Sequence, residues 1–299
     1  MEYHKKISNV NPPAGGQISN RSGIVFGFLL VCLIYYIIKS AVSSIFLKGN
    51  DKINVVFYGK NTRLYSIDVN DTDYILTFPP TSKVLIPGGY GKYRLGAMGK
   101  LSSLDRDPDL IKRAMSSATS SFVDLYFYFN SEIIFYEDSG NHELFPTLKE
   151  FFLSKSNANL IDRFFVFVNL SNRNKNFYKI INISDNFSEE NFSKNYQGSF
   201  YSKILREEGE NLQVRYQKSY QTAKIVSRII EGEGIRVVDL SESKNALKNC
   251  RLVVKNEKKL TKTVKTLANF FHCQIISGET EISDIILELG DLEEKWAIE

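Results

Sequence analysis

The residues best suited to chemistry gather around a glycine-rich turn. Pro87-Gly88-Gly89-Tyr90-Gly91-Lys92 is preceded by Lys83 and followed by Arg94, with Arg63 on an earlier apolar stretch. Ammonium and guanidinium groups set around such a turn clamp a pyrophosphate or other anionic ligand through charge-assisted hydrogen bonds; the plain alternative is a set of surface bases with no role. The turn also invites a nucleotide reading, which fails. A phosphate loop needs a glycine where Ile86 stands and a Ser or Thr for magnesium where Tyr93 stands. His142-Glu143 lacks the second histidine of a metalloprotease helix, and there is no Gly-x-Ser-x-Gly elbow. No catalytic residue, metal site or cofactor is therefore assigned. With three histidines (His4, His142, His272) and three cysteines (Cys32, Cys250, Cys273), neither a multi-histidine centre nor a zinc-knuckle array can be assembled.

The charge pattern narrows the partners. The 299 residues carry 38 Lys+Arg against 34 Asp+Glu, a net charge of +4. Six of the bases (Lys5, Lys6, Arg21, Lys39, Lys48, Lys52) and only two acids (Glu2, Asp51) lie in residues 1–52, so residues 53–299 are neutral. No long-range electrostatic case for nucleic-acid binding survives.

The N-terminal basic residues flank an uncharged run, Ser22–Ile38, long enough for about 26 Å of helix and extended to Leu47 if Lys39 snorkels. A cleavable signal peptide or a buried core helix is the alternative. The length of the run and its Tyr35 and Tyr36 favour a retained single-pass anchor. Lys5, Lys6 and Arg21 favour a cytoplasmic N-terminus and an extracytoplasmic C-terminal body in the cell membrane. Outside the cytoplasm Cys250 and Cys273 can pair as a disulfide; two buried free thiols are the alternative.

The body must position the bases. Strands are expected at Ile53–Tyr58, Leu64–Val69, Tyr74–Phe78 and Lys83–Ile86, with a turn at Asn70-Asp71. A helix follows, with Asp107 as N-cap, Pro108 at its first position, and an end near Ser120. Phe122–Phe129 and Glu132–Tyr136 read as paired core strands, Leu144–Phe152 as helical, Phe164–Leu170 as a strand, and residues 171–200 as mostly loop and short elements. From about residue 210 the pattern becomes β-α-β, then β-α-β-β: Leu212–Tyr216, Gln221–Glu231, Ile235–Leu240, Cys250–Val254, Glu257–Phe271, Gln274–Ile276 and Ile282–Leu289. In the second helix Leu260, Val264, Leu267 and Phe271 form one stripe and Lys255, Lys258, Lys262 and Lys265 the other. A solvated lysine face balanced by Glu288, Asp291, Glu293 and Glu294 is expected, with a grip on anionic polymer or lipid head groups as the alternative.

Two sets of segments carry a resemblance. LQVRYQ, AKIVSRIIEGEG, IRVVDL, CRLVVKNE, LTKTVKTLANFF and SDIILELGDL are similar, in order and pattern, to the LytR C-terminal domain appended to many LytR-CpsA-Psr (LCP) cell-envelope proteins, although Gln217-Lys218-Ser219 stands where that domain has Asn-Gly-Thr-Gly. About Ile53 to Tyr136 resembles a shortened catalytic domain of the same family. The resemblance implies an α/β architecture with a cytoplasmic tail (1–21), a transmembrane anchor (22–47), an LCP-like domain (53–209) and a LytR C-terminal-like domain (210–292). Active members use arginines, acids and magnesium to transfer a polyprenyl-pyrophosphate-linked glycopolymer onto peptidoglycan. Here Thr77-Phe78-Pro79-Pro80-Thr81-Ser82 replaces the family's Ser-Ile-Pro-Arg-Asp-Thr, and Lys92-Tyr93-Arg94 stands at its Lys-Ile-Asn stretch. The implied function is a non-catalytic scaffold or envelope-polymer binder whose partners are the membrane and envelope polymer or proteins. The alternatives are a divergent transferase, with magnesium, working through Arg63, Lys92 and Arg94, and a wall-anchoring protein that binds glycan through its C-terminal domain.

Overall fold

The computed structural model describes residues 20–68, 73–129, 132–137, 144–172, 178–196, 198–243 and 247–298. The tail before residue 20, the Asn70-Asp71 turn and His142-Glu143 lie outside the described residues. The chain is mixed α/β and divides into two units, 1–43 and 44–299. In the first, helix α1 (Asn20–Ser43) includes one stretch, Val25–Ser43, long and apolar enough to cross a membrane. Its 19 residues rise about 28 Å, close to the thickness of a bilayer core.

The second unit begins on a six-stranded sheet. Its first three strands, β1 (Lys52–Tyr58), β2 (Thr62–Asp68) and β3 (Asp73–Phe78), form an antiparallel meander. Strand β6 (Leu125–Tyr128) joins β1 in parallel, the two-residue β7 (Lys155–Ser156) caps that edge, and β8 (Tyr178–Asn182) closes the other edge parallel to β3. The near-continuous apolar run of β1 is what a strand covered on both faces requires. Val56, Leu64, Leu76 and Phe78 pack on one side with Ala114 and Met115 of helix α3 (Leu110–Thr119). Val55, Phe57, Tyr65 and Ile75 pack on the other with Phe151 of α4 (Leu148–Leu153) and Val166 and Leu170 of α5 (Leu160–Asn172). Beside the first face lie a two-stranded hairpin, β4 (Lys83–Ile86) with β5 (Gly91–Arg94), and helix α2 (Met98–Leu104).

Several expectations for this part are corrected. Phe164–Leu170 is the body of α5, because Asn159 caps a helix start: its side chain accepts from the Asp162 amide at 2.8 Å and its carbonyl from the Arg163 amide at 3.0 Å. An almost uninterrupted apolar run of seven residues does not by itself separate strand from helix. Residues 132–136 are irregular chain rather than a strand paired with β6, whose neighbours are β1 and β7. The helix expected from Asp107 starts at Leu110, because the Asp107 carboxylate instead receives the Asp109 amide and pairs with Arg113. The short elements expected in residues 171–200 are β8 and helix α6 (Glu189–Tyr196).

After α7 (Lys203–Glu208) a second sheet forms, in the order β10-β9-β13-β11-β12. Strands β9 (Asn211–Tyr216) and β10 (Arg236–Glu242) are parallel across helix α8 (Tyr220–Gly232). Strands β11 (Arg251–Val254) and β12 (Gln274–Ser277) are parallel across α9 (Lys262–Phe271), and β13 (Ile285–Glu288) lies parallel to β9 and antiparallel to β11. Helix α10 (Leu292–Lys295) follows. Alternate residues Leu212, Val214, Leu252, Val254, Ile285 and Leu287 face α8 and α9 in one core. Helix α9 starts at Lys262 rather than Glu257, since Thr261 caps it and Glu208 takes the Lys262 and Thr263 amides. Lys255 and Lys258 consequently lie outside the helix, and no continuous lysine face forms.

The two sheets meet through their helices. The Phe122 ring stacks on Phe270 at 4.0 Å, Arg228 Nη2 donates to the Ser117 carbonyl at 3.2 Å, and the Glu233 carboxylate accepts from the Phe122 amide. Gly232 is obligatory at this joint, because a Cβ there would sit 1.5 Å from the Ser120 carbonyl oxygen.

Candidate anionic-ligand site

The β4–β5 hairpin sets Lys83 opposite Arg94 and Leu85 opposite Lys92. Cross-strand partners point to the same side of an antiparallel pair, so Lys83, Lys92 and Arg94 share one face while Val84 and Ile86 are buried from the other. Three of the four candidate bases are thus brought together. Arg63 is not among them. In β2 it lies opposite Phe57, on the sheet face covered by α4 and α5, and its Nη2 donates to Glu150 Oε1 at 2.7 Å.

The hairpin bases have internal neighbours. Glu189 at the start of α6 accepts from the Leu85 amide at 2.8 Å and lies 3.9 Å from Lys92 Nζ. Arg94 Nη2 donates to the Tyr136 carbonyl at 2.9 Å, with the guanidinium 5.9 Å from the centre of that tyrosine's ring. Lys83 is exposed and makes no ion pair among the described residues. The amides of Gly88 and Gly89, which a phosphate would seek, both donate to the Ala297 carbonyl, at 2.7 and 3.0 Å. Both glycines have positive φ, so the turn's conformation serves a backbone contact.

Next to the hairpin, Thr81 of the Pro79-Pro80-Thr81-Ser82 segment pairs with Asp185. Among the described residues no three His, Cys, Asp or Glu side chains are grouped to hold a metal. Two clefts among the described residues lie elsewhere. One, of about 560 Å³, is lined by Arg206, Glu210, Asn211, Glu231 and Arg236; the other, of about 490 Å³, by Lys255, Ser277 and Thr280.

Cys250 and Cys273 form a disulfide with Cα atoms 5.0 Å apart, tying the approach to β11 to the turn after α9. Cys32 is a free thiol exposed on α1.

Three acidic residues with structural consequences escaped sequence reasoning. Asp162 accepts from Ser44 Oγ at 2.6 Å and the Ile45 amide at 2.9 Å. Asp124 accepts from the Asn54 amide at 2.9 Å, and burial pushes its carboxyl up to about 6. Burial, then the charge of Asp124, pushes Glu233 well above the ordinary carboxylate range. Their partners are 70 to 118 residues distant for Asp124 and Asp162 and 111 for Glu233, so no local spacing announces them.

No protein-family profile matches the chain, and no curated protein does. A solved structure it is similar to is the crystal structure of B. subtilis TagT, at 20% identity and a TM-score of 0.23 over 27% of this chain and 33% of that one. The similarity thus spans about a third of that protein's length.

Proposed function

We propose that this protein is a single-pass membrane protein whose α/β body stands outside the cytoplasm as a non-catalytic scaffold or envelope-polymer binder of LCP-like architecture. The observation that carries this reading is the internal use of the groups an anionic substrate would need. Arg63 holds α4 through Glu150, the Gly88 and Gly89 amides hold Ala297, and Glu189 faces Lys92. Electrostatic stabilisation of a phosphoryl transfer requires such donors to be aimed at the reacting oxygens. The disulfide and α1 support exposure to an oxidising compartment.

The transferase reading draws on Lys83, Lys92 and Arg94 sharing a hairpin face. The wall-binding reading draws on the sheet face turned away from α8 and α9, where Gln213 bonds Asp239 and Ser241 and where Arg215 and Arg251 flank Glu288. The test uses the full chain in membrane vesicles, supplied with radiolabelled lipid-linked polymer and isolated cell walls. Pelleting with walls without transfer of label is expected. Transfer that is lost in Lys83→Ala/Arg94→Ala would replace the scaffold reading with the transferase.

A further inference from the structure

The body carries an exposed apolar surface on α4 and α5. Leu148, Phe152 and Leu153 on α4 and Leu160 and Phe164 on α5 are 43–68% exposed. Leu148 and Phe152, and Leu160 and Phe164, are each four residues apart and so lie on one side of their helices. These helices pack on each other, and Phe152 approaches Phe167 at 5.9 Å between ring centres. A contiguous apolar patch of this kind marks an interaction site rather than ordinary scattered surface residues.

Chain connectivity says what lies beside it. The apolar helix ends at Ser43, and the chain is fixed to α5 immediately afterwards: Ser44 and Ile45 bond Asp162, and the Phe46 ring stacks on Phe165 at 5.4 Å. Ser44, the residue that follows the apolar helix directly in the chain, is thus itself bonded to α5. Leu47 in the same turn is 55% exposed. The charges agree with this location. From Leu148 to Ser171 the exposed ionic residues are Lys149 and Lys155, while Glu150 is tied to Arg63 and Asp162 is buried. On the other flank, Lys262 Nζ donates to the Lys48 carbonyl, and the stretch before it carries the exposed Lys255, Lys258 and Lys259 together with the exposed Glu257. Apolar side chains bordered by lysines are the composition of a surface that lies in the head-group region of an anionic membrane.

We infer that the α4–α5 face is a membrane-docking surface, with Phe152 and Phe164 entering the lipid interface and Lys149 and Lys155 meeting anionic head groups. The body thereby lies against the bilayer instead of swinging on a stalk. This rests on the reading of α1 as an anchor, and the experiment separates the two.

Full-length Phe164→Trp, Phe152→Trp, Leu30→Trp and Tyr220→Trp proteins are reconstituted in phosphatidylcholine/phosphatidylglycerol vesicles, with the buried Trp296 emission of the unsubstituted chain subtracted. Tyr220 opens α8 after β9. Because β9 and β11 run in opposite directions, it sits at the end of the second sheet opposite the start of α9. With brominated phosphatidylcholine, emission is expected to shift blue and be quenched at 164 and 152 and at the anchor position 30, and to be unchanged at 220. Circular dichroism and the intact disulfide report folding for each variant, and two patch positions guard against loss of one. Quenching at 30 but at neither patch position overturns the docking surface and leaves the anchor standing. Absence of quenching at 30 overturns the anchor reading and the docking with it. Equal quenching at 220 means non-specific adhesion and overturns the assignment. So does shielding of 164 and 152 from aqueous iodide without bromine quenching, which would place a protein or a second copy on the face.

Discussion

The Arg63 guanidinium donates to Glu150 Oε1 at 2.7 Å, linking the middle of the first sheet to the first turn of α4. Glu150 also completes a capping box with Thr147, so one carboxylate fixes both the start of the helix and its seat on the sheet. Truncating one partner strands a largely buried charge. Arg63→Ala is expected to lower stability by about 2 kcal/mol, and the pair Arg63→Met with Glu150→Gln to recover part of it. Urea unfolding of the two variants checks this; an equal loss in the single and the double variant would contradict it.

Asp162 holds the chain where it leaves α1. Asp162→Ala removes the acceptor for the Ser44 hydroxyl and the Ile45 amide and is expected to cost about 1–3 kcal/mol of local stability. Tryptic cleavage after Lys48 should accelerate, and the Ile45 amide should exchange roughly tenfold faster or more, with little change in the second sheet. Hydrogen-exchange mass spectrometry distinguishes this local opening from global unfolding.

Reduction of Cys250–Cys273 opens a link with a sequence separation of 23. Loop-closure entropy for that length amounts to about 3 kcal/mol. Cys250→Ser/Cys273→Ser is expected to lose about that much in denaturant unfolding, and reductant should have no further effect on the variant.

Asp124 and Glu233 at the joint are expected to set a pH dependence. Asp124 has a pKa of about 6 in the fold, above the ordinary carboxylate value near 4. Between those values the folded state binds more protons than the unfolded state, so this contribution to stability is largest at low pH and is lost as pH rises through about 6. The upward shift of Glu233 acts in the same direction. Asp124→Asn keeps an oxygen for the Asn54 amide and removes the titration. Its unfolding free energy relative to that of the unsubstituted chain is expected to climb between pH 4.5 and 7.5, by an amount on the order of 2 kcal/mol. A constant difference across that range would refute the assignment.

What the sequence disclosed depends on how far apart the cooperating residues are. β1 was legible because Ile53–Tyr58 is apolar at nearly every position, and the inner side of α9 because Val264, Leu267 and Phe271 repeat at helical spacing. Phe164–Leu170 was not, since an unbroken apolar run fits either period and the deciding cap, Asn159, lies five residues before it. At the candidate site, alternation along the hairpin could place Lys83, Lys92 and Arg94 on one face. It could not show that Arg63 faces the other side of its sheet, or that Ala297, more than 200 residues downstream in the sequence, occupies the glycine amides.

One carboxylate ties the end of the second sheet's core to its beginning. Glu293 in α10 accepts from the amides of Gln217, Lys218 and Ser219, the turn that opens α8. Those amides belong to an early element of that sheet, whereas their partner lies 74 to 76 residues later. During synthesis the amides of this turn stay hydrated until Glu293 has cleared the ribosome, so the second sheet cannot reach its final stability strand by strand. Nascent chains stopped before residue 293 should therefore hold β9 and α8 in a protease-sensitive state.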